Sequence, residues 1–190
     1  MSIETALGAV LHQLGDMYDA EHRFLKGQRE MLQKASDQGL QEMLQQHIVQ
    51  SEGQVHNLDQ IYSALGHKPK GNACDAAKGI VTEAQKNLKE TKVDAVRDIM
   101  IAAAADRVEH YEIAGYRSLI AGIELLEQPE VLNLLRQNLQ QEEQTAQLIE
   151  QSTPRLLRQA VQDEGLQGPS ALDVAQTRTT LGTSNIEIRP

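Results

Sequence analysis

Two acids, Glu109 and Glu112, occupy positions in the stretch Ala102–Tyr116 where a helix would bury them. Alternating steps of three and four collect Ala102, Ala105, Glu109, Glu112, Tyr116, Leu119 and Ile123 on one face, an apolar stripe that the two glutamates interrupt. Leaving such a carboxylate buried and unpaired costs on the order of several kcal/mol, so the pair requires cations, protons or metal ions beside it.

Three other segments repeat the pattern of an apolar seam with a polar centre. Ile3 to about Lys34 reads as a helix with Leu7, Leu11, Leu14, Tyr18, Glu21, Leu25, Gln28 and Leu32 in its seam. Ser36-Asp37-Gln38-Gly39 forms a capping turn, and a second helix follows to about Leu65 with Leu40, Leu44, His47, Ser51, Gln54, Leu58 and Ile61 in its seam and Gln50 on its flank. So short a connection makes these helices antiparallel neighbours. Gly66-His67-Lys68-Pro69-Lys70-Gly71-Asn72 breaks the chain, and Asn72 is placed to cap a crossover helix from Ala73 to about Lys89. The stripe with Glu109 and Glu112 then belongs to a helix from about Asp94 to Leu126. Pro129 suits the first turn of a fourth long helix, ending near Ser152, whose seam reads Leu132, Leu135, Leu139, Glu142, Ala146 and Ile149. Thr153-Pro154 reads as a cap and first-turn proline of a separate short helix.

The expected fold is all-α: a ferritin-like four-helix bundle over residues 1–152 with a crossover helix between its two hairpins, a short helix over 153–164, and an extended or flexible tail over 165–190. The 190 residues suit one such domain, with 40% apolar side chains but one Phe and no Trp, so the core must be aliphatic. With 18 basic against 27 acidic residues and a net charge of -9, nucleic acid is excluded as the expected partner. The N-terminus has no signal-like segment, and the apolar run Ile99–Ala105 is too short to span a bilayer, so no membrane association and a cytoplasmic location are expected. The single Cys74 excludes an intrachain disulfide and reads as a packing residue on the crossover.

In such a bundle the centre receives Glu21, Gln50 with Gln54, Glu109, Glu112 and Glu142. Four carboxylates balance two divalent ions, and hard oxygen donors suit iron or manganese. The competing reading is a set of acids that are protonated, bonded to one another, or paired with Arg107 or His47. His47 is open between a ligand, a hydrogen-bonding neighbour of a ligand, and a satisfied core histidine. Tyr18 and Tyr116, one turn from Glu21 and Glu112, either support a redox metal or are core residues whose hydroxyls reach a buried acid. His12, His22, His110, Glu143, Glu52 and His56 fall on polar faces.

Tyr18-Asp19-Ala20-Glu21, His47, Gly53-Gln54, Cys74, Val108-Glu109-His110-Tyr111-Glu112-Ile113-Ala114 with Tyr116, and Glu142-Glu143 together resemble the YciE/YciF family of ferritin-like bacterial stress proteins, distant relatives of rubrerythrin and manganese catalase. The resemblance covers about Ile3 to Gln151. It implies a bundle that is often dimeric, a di-iron or dimanganese centre on Glu21, Glu109, Glu112 and Glu142, and a role in stress tolerance. Such relatives reduce or disproportionate peroxide. The chain departs from them where Gln50 replaces a usual Glu, and where Gly53 and Thr145 occupy positions of histidine ligands. Two functional expectations follow: a peroxidase- or catalase-like dinuclear metalloprotein acting on peroxide or oxygen, or a non-catalytic stress protein whose tail from Gly165 to Pro190 mediates oligomer or partner binding. A homodimer or higher homo-oligomer is expected under either.

Overall fold

A computed structural model describes residues 3–165 as five helices: α1 (Ala6–Leu32), α2 (Gln38–Ala64), α3 (Asp75–Glu90), α4 (Asp94–Glu124) and α5 (Pro129–Asp163). The tail expected over 165–190 lies outside the described residues beyond Gly165. Helix α1 is capped by Thr5, whose hydroxyl accepts from Gly8 N at 2.9 Å, and α2 by Asp37, whose carboxylate accepts from Leu40 N at 2.9 Å. Gly66, at φ 74, adopts the left-handed conformation that ends α2. The hairpins α1–α2 and α4–α5 pack side by side through α1 against α4 and α2 against α5, while α3 lies along the α1–α4 side.

Two apolar clusters close the bundle. One contains Leu14, Leu58, Tyr116, Leu119 and Leu135; the other contains Met31, Leu40, Leu44, Ile101 and Ile149. The polar centres of the four long helices lie between them. On α4 the whole expected stripe from Ala102 to Ile123 is buried. On α1 Leu14, Glu21, Leu25 and Gln28 of the expected seam are buried, but Val10, Met17, Phe24 and Met31 are buried where Leu11, Tyr18 and Leu32 were expected, and Leu7 is 41% exposed. Gly115 bears on that choice: a Cβ there would collide with Met17 Sδ, so α4 leaves a groove for the methionine and lets it turn inward.

Two expectations about helix ends are corrected. Cys74, rather than Asn72, caps α3: its sulfur accepts from Ala77 N at 3.4 Å. Asn72 instead ties the crossover to α1, donating from its backbone N to Gly15 O at 3.0 Å and from Nδ2 to His12 O at 2.9 Å. The separate helix after Ser152 does not form either, because α5 continues through Pro154. The carbonyl this proline cannot satisfy belongs to Glu150, a solvent-exposed residue. Beyond it, Leu156 and Ala160 are buried, and Arg155 grips Asp37 through two 2.6 Å bonds. That anchoring carries the helix across its proline.

Among the described residues, no helix is long and apolar enough to cross a membrane.

Candidate metal centre

The bundle centre is a sealed polar layer. Glu21 comes from α1, His47 and Gln54 from α2, Glu109 and Glu112 from α4, and Glu142 from α5, each at most 2% exposed. One ligand atom from each of His47, Glu109, Glu112 and Glu142 lies within 4.8 Å of all the others, a spacing that can hold a metal ion. Glu21 joins the layer through Tyr116, whose hydroxyl donates to Glu21 Oε1 in a short hydrogen bond.

His47 is held in one orientation. The Thr145 hydroxyl donates to Gln141 O at 3.0 Å, so its oxygen is free to accept from His47 Nδ1 at 3.1 Å. The side-chain oxygen of Gln50 stands 3.3 Å from the same nitrogen. With the proton on Nδ1, the lone pair of Nε2 faces the acids, 3.1 Å from Glu109 Oε1 and 3.7 Å from Glu142 Oε2, without forming a hydrogen bond to either. A lone pair facing a carboxylate at that distance repels it unless a proton or a metal ion intervenes.

The carboxylates have the same deficit. Both oxygens of Glu109 and of Glu112, with Glu21 Oε2 and Glu142 Oε2, find no hydrogen-bond donor in this layer beyond one another's carboxyls. Gln54 Nε2 gives Glu142 Oε1 a short hydrogen bond and reaches Gln141 Oε1 at 3.1 Å. Burial, reinforced by the charge of Glu142, pushes Glu21 up to about 8, and burial pushes Glu109 up to about 7. Glu112 and Glu142 are raised well above the usual carboxylate range, first by burial and then by neighbouring acids. The donor set fits a metal: oxygen-rich, with one imidazole nitrogen turned toward the acids and carboxyls that stay charged only beside a cation.

The sequence-derived residues separate here. Glu21, Gln54, Glu109, Glu112 and Glu142 converge. Gln50 does not: it is half-buried behind His47, because its position on α2 points toward the outer edge of the α2–α5 contact. Gln54 acts through its nitrogen on Glu142, rather than presenting its oxygen to the layer as a ligand would. Tyr18 also turns away, its hydroxyl donating to Asp59 Oδ1 at 3.0 Å while its ring packs against His22 and Tyr62.

Asn138 was not singled out by the seam, yet it is fully buried and donates from Nδ2 to the Tyr116 hydroxyl at 2.9 Å. Its own oxygen accepts from Asn57 Nδ2 at 2.7 Å. The available signal was its spacing, four residues before Glu142 and three after Leu135. With Asn138 occupying one lone pair of the phenol, the Tyr116 proton is directed to Glu21. The remaining histidines are peripheral. His110 joins Asp106 and Glu150 in an exposed group, and the exposed Glu52 pairs with Arg29 at 2.7 Å.

Residues 8–162 match the family described as a domain of unknown function, DUF892. Protein YciF of Escherichia coli K12 is 31% identical over 146 residues, covering 76% of this chain and 88% of YciF. The crystal structure of the E. coli stress protein YciF superposes with a TM-score of 0.78 at 28% identity, over 82% of this chain and 98% of that one. YcfI of Rhodopseudomonas palustris gives 0.77 at 35% identity, over 78% and 95%. A protein from Xanthomonas campestris pv. campestris, 18% identical with a TM-score of 0.69 over 85% and 100%, shares the fold. The family match spans the whole bundle and every residue of the polar layer, and the chain therefore belongs to the DUF892 family, among the YciF-type proteins.

Proposed function

We propose that the polar layer binds two iron or manganese ions and reacts with peroxide or oxygen, as a peroxidase- or catalase-like activity within a family that includes a protein described as a stress protein. The observation that carries this reading is the convergence of His47 Nε2 on Glu109 Oε1 at 3.1 Å, in a layer of four buried acids short of donors. Two divalent ions balance four carboxylates, and a donor set of oxygens with one imidazole suits iron or manganese. When bound, such a pair supplies the two-electron cycling that converts two molecules of hydrogen peroxide to oxygen and water.

The chain's own residues define the setting for that chemistry. His47, Glu109, Glu112 and Glu142 offer the ligand atoms, with Glu21 opposite. Thr145 and Gln50 contact the far nitrogen of His47 and hold Nε2 toward the acids. Gln54 orients Glu142, and Tyr116 holds Glu21 while keeping a proton one bond from the layer. The two apolar clusters exclude bulk water from both ends.

A second reading is favoured by the raised carboxyls: protons alone neutralise the layer, and the bundle serves assembly without catalysis. Elemental analysis of freshly purified protein and reconstitution with Fe(II) or Mn(II) separate the two. The metal reading expects near two ions per chain, loss of most of that metal in Glu109→Ala, and retained helicity in the variant. Folded wild-type protein that takes up neither ion would overturn it.

A further inference from the structure

Gln28 lies on α1 about two turns beyond Glu21, in the same buried stripe. It is 1% exposed, and neither its Nε2 nor its Oε1 has a hydrogen-bond partner. The other buried amides among the described residues are engaged: Gln54 donates to Glu142 and Gln141, Asn57 to Asn138, and Asn138 to Tyr116. The neighbours of Gln28 along the stripe, Phe24, Leu25 and Met31, are apolar, and a leucine or methionine in its place would strand no polar atom. A buried amide that weakens the metal-free fold needs an occasion on which it is used.

Its surroundings name the partner. Gln28 borders a gap between α1, α2, α4 and α5 together with His47, Glu109 and Thr145, and the rest of the wall is apolar. The gap leaves no room for a water molecule, so the amide must find its partner among these side chains. The Thr145 hydroxyl is already held between Gln141 O and His47 Nδ1. His47 Nε2 and both oxygens of Glu109 are unpartnered, so a donor without an acceptor and acceptors without donors border one gap.

We infer that Gln28 is a positioning residue for Glu109: when the layer holds a divalent cation, Gln28 Nε2 donates to the Glu109 oxygen that the cation leaves free and fixes that carboxylate as a ligand. The inference rests on the metal reading of the layer. A cation between His47 Nε2 and Glu109 Oε1, which stand 3.1 Å apart, engages both of those atoms, and Glu109 Oε2 remains for the amide. A charged carboxylate holds an amide N–H about twice as strongly as a neutral acceptor does. Gln28 thus favours the loaded protein and disfavours the metal-free one, two effects of opposite sign that a packing role cannot give.

The test compares wild type with Gln28→Leu and Gln28→Met, which keep the bulk of the side chain and remove the amide. Affinity for Mn(II), or for anaerobic Fe(II) where only that ion is taken up, is measured by competition with a chelating dye, and stability by the thermal midpoint of the metal-free chain. Both variants are expected to bind the ion about 10- to 100-fold more weakly. Their metal-free midpoints are expected to rise by about 3 °C. Met43→Leu, at the same gap, removes no N–H donor and should match wild type in both measurements. Weaker binding with a metal-free midpoint at or above wild type upholds the inference. Wild type that takes up neither ion removes the metal reading itself, and the inference with it. Where wild type loads, unchanged affinity in the Gln28 variants overturns the inference alone. So does weaker binding with a lowered metal-free midpoint, which marks Gln28 as structural, or an equal loss of affinity in Met43→Leu.

Discussion

Replacing Tyr116 by Phe probes the polar layer without changing the shape of the core. Tyr116 is fully buried, and its hydroxyl is bonded on both sides, donating to Glu21 and accepting from Asn138 Nδ2 at 2.9 Å. The ring stays, so no cavity of consequence opens, but Glu21 Oε1 and Asn138 Nδ2 each lose a partner in a place water does not reach. Leaving a buried polar group unsatisfied costs about 1–3 kcal/mol; Asn138 Nδ2 keeps its 3.4 Å bond to Gln54 O, so the loss falls mainly on Glu21 and should be about 2 kcal/mol. With a urea m-value of about 2 kcal/mol/M, the midpoint of the metal-free protein should fall by roughly 1 M. Tyr18→Phe is the matched comparison, because its hydroxyl bonds Asp59 at 3.0 Å in a half-buried setting where water can replace it. There the loss should be about 1 kcal/mol or less, a shift of roughly 0.5 M. Equal shifts in the two variants would refute the claim that Tyr116 is built into a closed network and Tyr18 is not.

The metal-free protein should lose stability as pH rises from about 5 to 8. Glu109 is raised to about 7 and Glu21 to about 8 in the folded chain, so in that window the native state binds more protons than the unfolded one, and the free energy of unfolding must fall with pH. Thermal midpoints across pH 5, 6, 7 and 8 in chelator check this; a flat or rising profile contradicts the buried-acid description. Metal loading should act in the opposite sense, its stabilisation growing with pH as the ligands deprotonate. At the other end of the bundle, Asp98 is 3% exposed and accepts three hydrogen bonds: from Ser36 N at 2.8 Å, Ser36 Oγ at 2.6 Å and Asp37 N at 2.9 Å. Asp98→Ala strands two backbone donors in the α1–α2 turn and should cost about 3 kcal/mol, roughly 9 °C in Tm; a drop under about 2 °C would show that the turn does not depend on α4.

Periodicity made the bundle and four of its central acids legible, because burying a helix stripe constrains every third or fourth residue and Glu21, Glu109, Glu112 and Glu142 each break an otherwise apolar row. It could not choose between stripes one residue apart. On α1 both Leu7–Leu11–Tyr18 and Val10–Met17–Phe24 are apolar, and the choice is made on another helix, by the room Gly115 leaves for Met17. The same ambiguity hid Asn138 behind Leu139 on α5. Pro154 misled for a related reason: its local cost is real, but Leu156, Ala160 and Arg155 gain more from contacts that exist only once the hairpins pack.

His47 is the deepest case. Its place in the α2 seam can be read from spacing, whereas its role depends on which ring nitrogen holds the proton. The partners that bear on it lie on α5 and α2, the Thr145 hydroxyl 3.1 Å and the Gln50 amide oxygen 3.3 Å from Nδ1. Thr145, where the family resemblance implies a histidine ligand, thus does not leave the layer without an imidazole, since His47 lies in it. Its hydroxyl, 3.1 Å from Nδ1, holds the ring of His47, from the facing helix, with Nε2 toward the acids.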